Sequence, residues 1–209
     1  MDKYNVYQDM SRRTGGEIYL GIVGPVRTGK STFIKRFMEL VVIPEMADDN
    51  EKVRTIDELP QSADGKTIMT TEPKFIPKEA AVIHFSNQET GKIRLIDCVG
   101  YLVPEAVGAI EEEKERMVKT PWSEEEIPFS KAAEIGTSKV IREHSNLGLI
   151  ITTDGSFGDI PAVNFEETLQ KTVMECEKAG KPFLILVNTS RPDSQETIQF
   201  TKRLEAQYG

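Results

Sequence analysis

The sequence contains few cysteines and histidines and no long apolar run. Its 209 residues include two cysteines, Cys98 and Cys176, and two histidines, His84 and His144. Two cysteines do not make a disulfide framework, which fits a reducing compartment. There is no apolar signal core and no apolar run long enough to span a bilayer, so we expect a cytoplasmic chain without a transmembrane segment. The isolated histidines are expected to be structural or surface residues rather than metal ligands.

Positive charge is also scarce. The chain has 26 Lys and Arg against 34 Asp and Glu, a formal net charge of −8, and no basic stripe. This composition argues against nucleic acid as a partner. The acidic runs 111–113 and 124–126 are expected to be solvated surfaces. Trp122 lies between them and could anchor its loop to the domain or to another subunit; the sequence leaves both possibilities open.

Residues 24–32 match the G-x-x-x-x-G-K-[ST] pattern of a phosphate-binding loop. The apolar run 18–23 predicts a strand at about 17–23 before the loop, and a helix is predicted after it at about 29–41. Glycines let the backbone turn so that its N–H groups and the helix N-terminus face a phosphate. Lys30 would reach the β- and γ-phosphates, and the Ser31 hydroxyl would ligate Mg²⁺. The predicted nucleotide-binding residues here are Gly24, Pro25, Val26, Arg27, Thr28, Gly29, Lys30, Ser31 and Thr32.

A second phosphate-sensing pattern, D-x-x-G, ends a predicted strand at 92–97. There Asp97 would hold the metal through water, and the Gly100 N–H would contact the γ-phosphate. Upstream, Thr70 and Thr71 lie between the first helix and the second strand, where switch proteins supply a threonine to Mg²⁺ and the γ-phosphate. A plain Ser/Thr turn is the alternative there. The predicted metal ligands are Ser31, Thr71 and Asp97.

The order of elements predicts an α/β fold with a doubly wound, mostly parallel sheet. Runs 81–86 and 92–97 read as a hairpin, so the second strand is expected to be antiparallel. Further strands are predicted at 147–154 and 182–188, and helices at 130–144, 165–179 and 194–207. Segments 44–80 and 101–130 are predicted to be long polar loops. We divide the chain into a lead-in, 1–16, and a P-loop NTPase domain, 17–209, with the nucleotide at the carboxyl ends of the strands.

Taken together, these features resemble the translation-factor and Ras-like class of phosphate-loop NTPases, and within it the stage IV sporulation protein A family of spore-coat morphogenetic ATPases. The resemblance extends over almost the whole chain; its carriers are 13–16, 24–33, 57–62, 65–75, 95–101, 120–122, 133–137 and 152–155. It implies an N-terminal domain whose ATP hydrolysis drives self-assembly of the coat basement layer around the forespore. The implied location is the mother-cell cytoplasm at the forespore surface. The implied partners are further copies of the chain, spore-coat proteins and a small membrane-bound adaptor, contacted through other regions.

Domains of this class also carry a sixth strand and a fifth helix, which we expect to be lacking here. Strand 182–188 would then be an exposed edge, since strand edges without a partner invite pairing with another chain. We therefore expect this chain to self-associate through residues 182–188.

The nucleobase position departs from that of guanine-specific relatives. Their N-K-x-D pattern reads Asn188-Thr189-Ser190-Arg191 here. Arginine offers only hydrogen-bond donors, so Arg191 cannot pair with the donors of guanine. The resemblance, with this departure, implies ATP as the nucleotide and Asn188 as a binding residue.

The hydrolytic position departs too, because Tyr101 follows the D-x-x-G where relatives often have a water-positioning glutamine. Another group must then orient water, and Thr70 or Thr71 are the best placed. Arg27 occupies the position of an asparagine in cation-dependent relatives; its guanidinium lies either beside the β–γ bridge or in solvent.

Two functions therefore remain open. The first is an ATPase, with Lys30, Thr70, Thr71, Asp97 and Arg27 as catalytic residues. The second is a nucleotide-dependent switch or scaffold, using GTP or ATP, with negligible turnover. The intact Lys30 and Asp97 favour the enzyme, and Tyr101 favours the switch.

Overall fold

The computed structural model describes residues 15–60, 72–84, 90–104, 110–111 and 114–209. The strands in these ranges are β1 (Glu17–Val23), β2 (Lys74–His84), β3 (Thr90–Asp97), β4 (Ile110–Glu111), β5 (Lys114–Glu115), β6 (Met117–Thr120), β7 (Ser123–Pro128), β8 (Leu147–Thr153) and β9 (Phe183–Asn188). The α-helices are α1 (Lys30–Phe37), α2 (Asp49–Glu58), α3 (Phe129–Lys139), α4 (Glu166–Lys178) and α5 (Gln195–Tyr208). Short π and 3₁₀ turns extend α1 through Met38–Val42 and Ile43–Glu45, extend α3 through Val140–His144, and precede α4 at Ala162–Phe165.

Five strands form one sheet in the order β2-β3-β1-β8-β9. The pairs β1–β3, β1–β8 and β8–β9 are parallel, and β2 is antiparallel to β3. The predicted mostly parallel sheet with one antiparallel strand is confirmed. Because parallel strands end at the same edge of a sheet, the segments that follow β1, β3, β8 and β9 meet there.

Apolar side chains cover both faces of this sheet. On one face Leu20 and Ile22 of β1 pack with Ile34 of α1, and all three are buried. On the other face Val23 packs with residues of α3's extension, α4 and α5. Alternation along β1 places successive side chains on opposite faces, so each face receives its own helical layer. The two layers hold β1 rigidly below the phosphate loop.

Strand β9 lies at the end of the sheet within the described residues. Leu184, the second residue of the strand, is 57% exposed, which fits an edge position. Self-association through this strand stays a prediction. None of the helices in the described ranges is long and apolar enough to cross a membrane.

The predicted polar loop at 44–80 is wrong in two places. Residues 49–58 form α2, whose N-terminus is capped by Asp48: its Oδ1 accepts from the N–H groups of Asn50 (2.7 Å) and Glu51 (3.3 Å). Strand β2 begins at Lys74 rather than at 81. Residues 74–76 already pair with β3, and the pairing resumes at 81 after a shift of register around Pro77. The cap at Asp48 was the sequence signal for α2.

The predicted loop at 101–130 is also partly wrong, because β6 and β7 form an antiparallel hairpin there. Trp122 lies in its turn, and its buried Nε1 has no hydrogen-bond partner among the described residues. The run 124–126 is exposed, as predicted for a solvated surface. His144 packs edge-on against Phe75, with ring centroids 5.5 Å apart, so its structural role is confirmed.

Candidate nucleotide-binding site

The phosphate loop leaves β1 and enters α1 through three left-handed backbone positions. Gly24 has φ 124°, Arg27 has φ 62° and Gly29 has φ 91°. Among the described residues, Arg27 is the one residue other than glycine that has a positive φ. The buried Thr28 hydroxyl donates to the Pro25 carbonyl at 3.0 Å, which closes the loop on itself. Such a turn, followed by a helix N-terminus, points backbone N–H groups towards an anion.

Lys30 lies inside this loop. Its side chain is only 5% exposed, and its Nζ donates to the Pro25 carbonyl at 2.6 Å and to the Gly24 carbonyl at 3.5 Å. Burial lowers the Lys30 pKa, while Cys98 and Asp97 act in the opposite direction. Two carbonyls compensate a buried ammonium less well than a phosphate does. The loop therefore holds a cation that an entering phosphate would stabilise.

Ser31 and Asp97, both predicted to hold the metal, meet beside Lys30. The Ser31 hydroxyl donates to Asp97 Oδ2 at 2.9 Å, and Oδ1 is buried without a hydrogen-bond partner among the described residues. Burial raises the Asp97 pKa, against the hydrogen bond from Ser31 and the charge of Lys30. Mg²⁺ takes hydroxyl and carboxylate oxygens and usually keeps waters and phosphate oxygens as its other ligands. The orphaned Oδ1 and the adjacent hydroxyl fit that ion. Thr70 and Thr71 lie outside the described residues.

The D-x-x-G segment is joined to the phosphate loop through its backbone. Val26 N–H donates to the Tyr101 carbonyl at 2.9 Å, and Tyr101 N–H donates to the Gly24 carbonyl at 3.3 Å. Gly100 has φ 91°, and a Cβ added there would lie 2.2 Å from the Gly24 carbonyl oxygen and 2.6 Å from Lys30 Nζ. Only glycine fits between these groups.

Replacing Gly100 by alanine is expected to lower the free energy of unfolding by about 2–3 kcal/mol, since a left-handed alanine is strained and its methyl group overlaps the loop. Nucleotide binding should weaken with it. The matched control is Gly158→Ala, because Gly158 has φ 76° and nothing within 4 Å of an added Cβ. Chemical denaturation measures both. Equal destabilisation by the two changes would contradict the close packing at Gly100.

Asn188 reaches the loop from the end of β9. Its Nδ2 donates to the Thr28 carbonyl at 3.0 Å. A Cβ at Gly29 would lie 2.4 Å from that Nδ2, so a side chain at position 29 would collide with Asn188. The structure thus brings together the predicted residues at 24–32, 97, 100 and 188. Arg27 is half-buried, and its guanidinium makes no polar contact with another described residue.

The sequence alone predicts no role for Asp154, the last residue of the predicted strand at 147–154. Its Oδ2 accepts from Thr189 Oγ1 (2.6 Å) and Thr197 Oγ1 (2.7 Å), and its Oδ1 accepts from Ser156 N–H (2.9 Å). This carboxylate ties the segment after β9 to the first turn of α5. The available sequence signal for this contact was an aspartate at the end of one parallel strand, because neighbouring parallel strands end at the same edge of the sheet.

Asp154 should make the domain sensitive to acid. Burial alone would raise its pKa, but hydrogen bonds from Ser156, Thr189 and Thr197 lower the pKa from 3.8 to about 2. A carboxylate with a lowered folded pKa contributes stability that is present above the unfolded pKa and is lost as pH falls. Asp154→Asn should therefore flatten the dependence of unfolding free energy on pH between 3.8 and about 2. The exposed Asp159→Asn is the control; identical pH profiles for both variants would contradict the network.

Comparisons with known proteins place the chain in a family. The profile described as "Stage IV sporulation protein A, ATPase domain" matches residues 1–209. Stage IV sporulation protein A of Bacillus subtilis (strain 168) is 53% identical over 208 residues, and that of Bacillus anthracis is 52% identical over 208 residues; each match covers 100% of this chain. The protein of the same name from Clostridioides difficile (strain 630) is 49% identical over 204 residues, 98% of this chain. The chain spans 42% of the length of each relative. It belongs to the stage IV sporulation protein A family and corresponds to that family's ATPase domain.

Proposed function

We propose that this chain binds ATP with Mg²⁺ and hydrolyses it, and that hydrolysis in the longer protein drives self-assembly of the basement layer of the spore coat. The observation that carries the proposal is the Ser31–Asp97 pair beside the buried Lys30. A buried carboxylate oxygen without a partner is costly unless a cation or proton satisfies it. The relatives' common name supports a role in sporulation.

Each residue of the site has a definable part in that reaction. Lys30 would exchange its carbonyl contacts for the β- and γ-phosphates, and the loop's N–H groups would hold the phosphate chain. Ser31 and Asp97, with Thr71, would hold Mg²⁺, which supplies charge neutralisation on the phosphate oxygens. The Gly100 N–H would contact the γ-phosphate. Binding the transferred group more tightly in the transition state than in the ground state accelerates its transfer.

ATP rather than GTP is the proposed nucleotide. Arg191 follows Asn188 by three residues and is exposed, with Nη1 4.0 Å from Glu196 Oε2. Its donors do not complement the donors of guanine. A phosphate-release assay with ATP, with GTP, and with ATP plus a chelator tests nucleotide and metal together. Release from GTP at the ATP rate would contradict the assignment.

Orientation of the attacking water is assigned to Thr70 or Thr71. Replacing both by alanine should slow phosphate release more than it weakens ATP binding, since γ-phosphate contacts made by a switch segment matter most in the transition state. Calorimetry and single-turnover kinetics measure the two effects. Equal losses would assign the pair to docking of the nucleotide, and full turnover would remove it from the mechanism. The position of the Arg27 guanidinium in the nucleotide complex, either beside the β–γ bridge or in solvent, stays a prediction.

A second function, a nucleotide-dependent switch or scaffold with negligible turnover, is favoured by one observation. The Tyr101 side chain is 3% exposed and its hydroxyl donates to Glu175, so it is not free to position water. ATP binding without phosphate release would establish this function instead.

The remaining proposals concern the longer protein. We propose that it polymerises, and that it contacts spore-coat proteins and a small membrane-bound adaptor through regions outside the 42% of the relatives that this chain matches. The proposed location is the mother-cell cytoplasm at the forespore surface. Sedimentation of the longer protein with ATP and with a non-hydrolysable analogue tests whether hydrolysis drives assembly; polymer of equal amount in both would contradict it.

A further inference from the structure

Tyr101 is anchored at its side chain as well as at its backbone. The hydroxyl donates to Glu175 Oε2 of α4, and Lys171 Nζ lies 4.7 Å from the centroid of its ring. The side chain therefore points from the D-x-x-G segment into the layer formed by α3 and α4. This hydrogen bond connects the D-x-x-G segment to Glu175, 74 positions further along the chain.

Glu175 is itself held from a second direction. Its Oε1 accepts from Ser138 Oγ of α3 at 2.6 Å and from Arg142 Nε at 3.0 Å. The Glu175 side chain is 13% exposed, and burial raises its pKa while Lys178 opposes that shift. A carboxylate with donors on both oxygens is fixed in orientation. Tyr101 thus meets an acceptor whose position is set by two helices.

The backbone of Tyr101 makes the opposite connection. Its N–H and carbonyl bond to Gly24 and Val26, on either side of Pro25. Gly100 immediately precedes Tyr101 and packs so closely against Gly24 and Lys30 that no side chain fits there. Gly100 is therefore held between the phosphate loop and a residue whose side chain is anchored to α4.

We propose that Tyr101 and Glu175 are positioning residues for hydrolysis: the Tyr101–Glu175 hydrogen bond sets the Gly100 N–H against the γ-phosphate. The inference rests on the ATPase function proposed above. Neither side chain touches the reacting atoms, and both act through Gly100. Small misplacements of a group that contacts the transition state lower rates strongly without a matching loss of affinity.

A double-mutant cycle on turnover tests this role. Tyr101→Phe removes the hydroxyl and keeps the ring, and Glu175→Ala removes its acceptor. Each change is expected to lower kcat about tenfold and to change KM by less than about twofold. The double variant should be no slower than the slower single variant, because both changes remove the same hydrogen bond.

Arg203→Ala is the matched control. It removes an ion pair of the same length to α4, from Arg203 Nη2 to Glu166 Oε1 at 3.0 Å, without touching Glu175, and the Arg203 side chain is 58% exposed. Its kcat should stay within about twofold of wild type. Amide exchange gives a readout independent of activity: the N–H of residue 101 should exchange faster in Tyr101→Phe than in Arg203→Ala. Thermal unfolding verifies that all variants are folded.

The outcomes separate the two claims. An active wild type with an equally active, folded Tyr101→Phe overturns the positioning role, and so do single losses that multiply in the double variant. Loss of kcat in Arg203→Ala equal to that in Tyr101→Phe would assign the effect to general packing and also overturn it. A wild type that binds ATP and releases no phosphate overturns the proposed hydrolysis and this role with it.

Discussion

Replacing Lys30 by alanine is expected to abolish measurable ATP binding while the domain stays folded. The Lys30 ammonium is buried in the phosphate loop, 2.6 and 3.5 Å from two loop carbonyls. Charge-assisted hydrogen bonds are worth about 1.5–3 kcal/mol each. Losing contacts to two phosphates should weaken binding by at least about a hundredfold. Calorimetry with ATP and Mg²⁺ measures the loss.

The fold should tolerate this change because α1 packs through other residues. Ile34 and Met38 are fully buried against the sheet, and they remain. Removing a desolvated ammonium, whose pKa burial lowers, also relieves an unfavourable burial. Lys35→Ala is the matched control, because the Lys35 Nζ lies on the same helix, 3.9 Å from Glu39, and is partly exposed. An unchanged affinity in folded Lys30→Ala, or an equal loss in Lys35→Ala, would contradict the assignment.

Asp97→Asn is expected to lower kcat about 10–100-fold and, at the same time, to make the domain more stable. The amide keeps an acceptor for the Ser31 hydroxyl, so the 2.9 Å hydrogen bond survives. The charge that would hold Mg²⁺ is removed. With it goes a buried carboxylate whose pKa burial raises and whose Oδ1 has no partner among the described residues. Functional groups of this kind are often destabilising in the absence of ligand.

The predicted gain is about 1 kcal/mol, or a rise in Tm of about 2–4 °C without nucleotide. The difference between Asp97→Asn and wild type should shrink or reverse when Mg²⁺ and ATP are added, since only the wild type gains from the metal. Asp49→Asn is the control, because that side chain is 93% exposed. A lower Tm for Asp97→Asn in the absence of ligands would contradict the inference that the Asp97 carboxylate destabilises the domain until a cation binds it.

Residues near the chain's strongest patterns could be predicted from the sequence. The apolar run before the loop predicts a strand at about 17–23, where the structure has β1, and the loop after it follows from the glycine spacing and the lysine. The approach of Asp97 and Asn188 to that loop follows from one rule, that parallel strands end at one edge of a sheet. These contacts are dictated by local pattern and by topology, so a single sequence carries them.

Other contacts could not be predicted, because they depend on how helices pack. The sequence shows only that Tyr101 is not a glutamine, and no residue near it in sequence points to Glu175, 74 residues away. Helix α2 was missed for a different reason. Its exposed Val53 and Ile56 and its many charged residues give a weak apolar pattern, which its cap at Asp48 outweighs.

The clamp between Asn188 and Thr28 joins residues 160 positions apart, and this separation has a consequence during synthesis. At about 5–20 residues per second, a ribosome makes Asn188 about 8–32 s after Thr28. A nascent chain thus carries a translated phosphate loop long before the strand that completes it. We expect ATP to be captured only by chains whose translation has passed β9. Any assembly that requires nucleotide is then confined to chains in which this domain is complete.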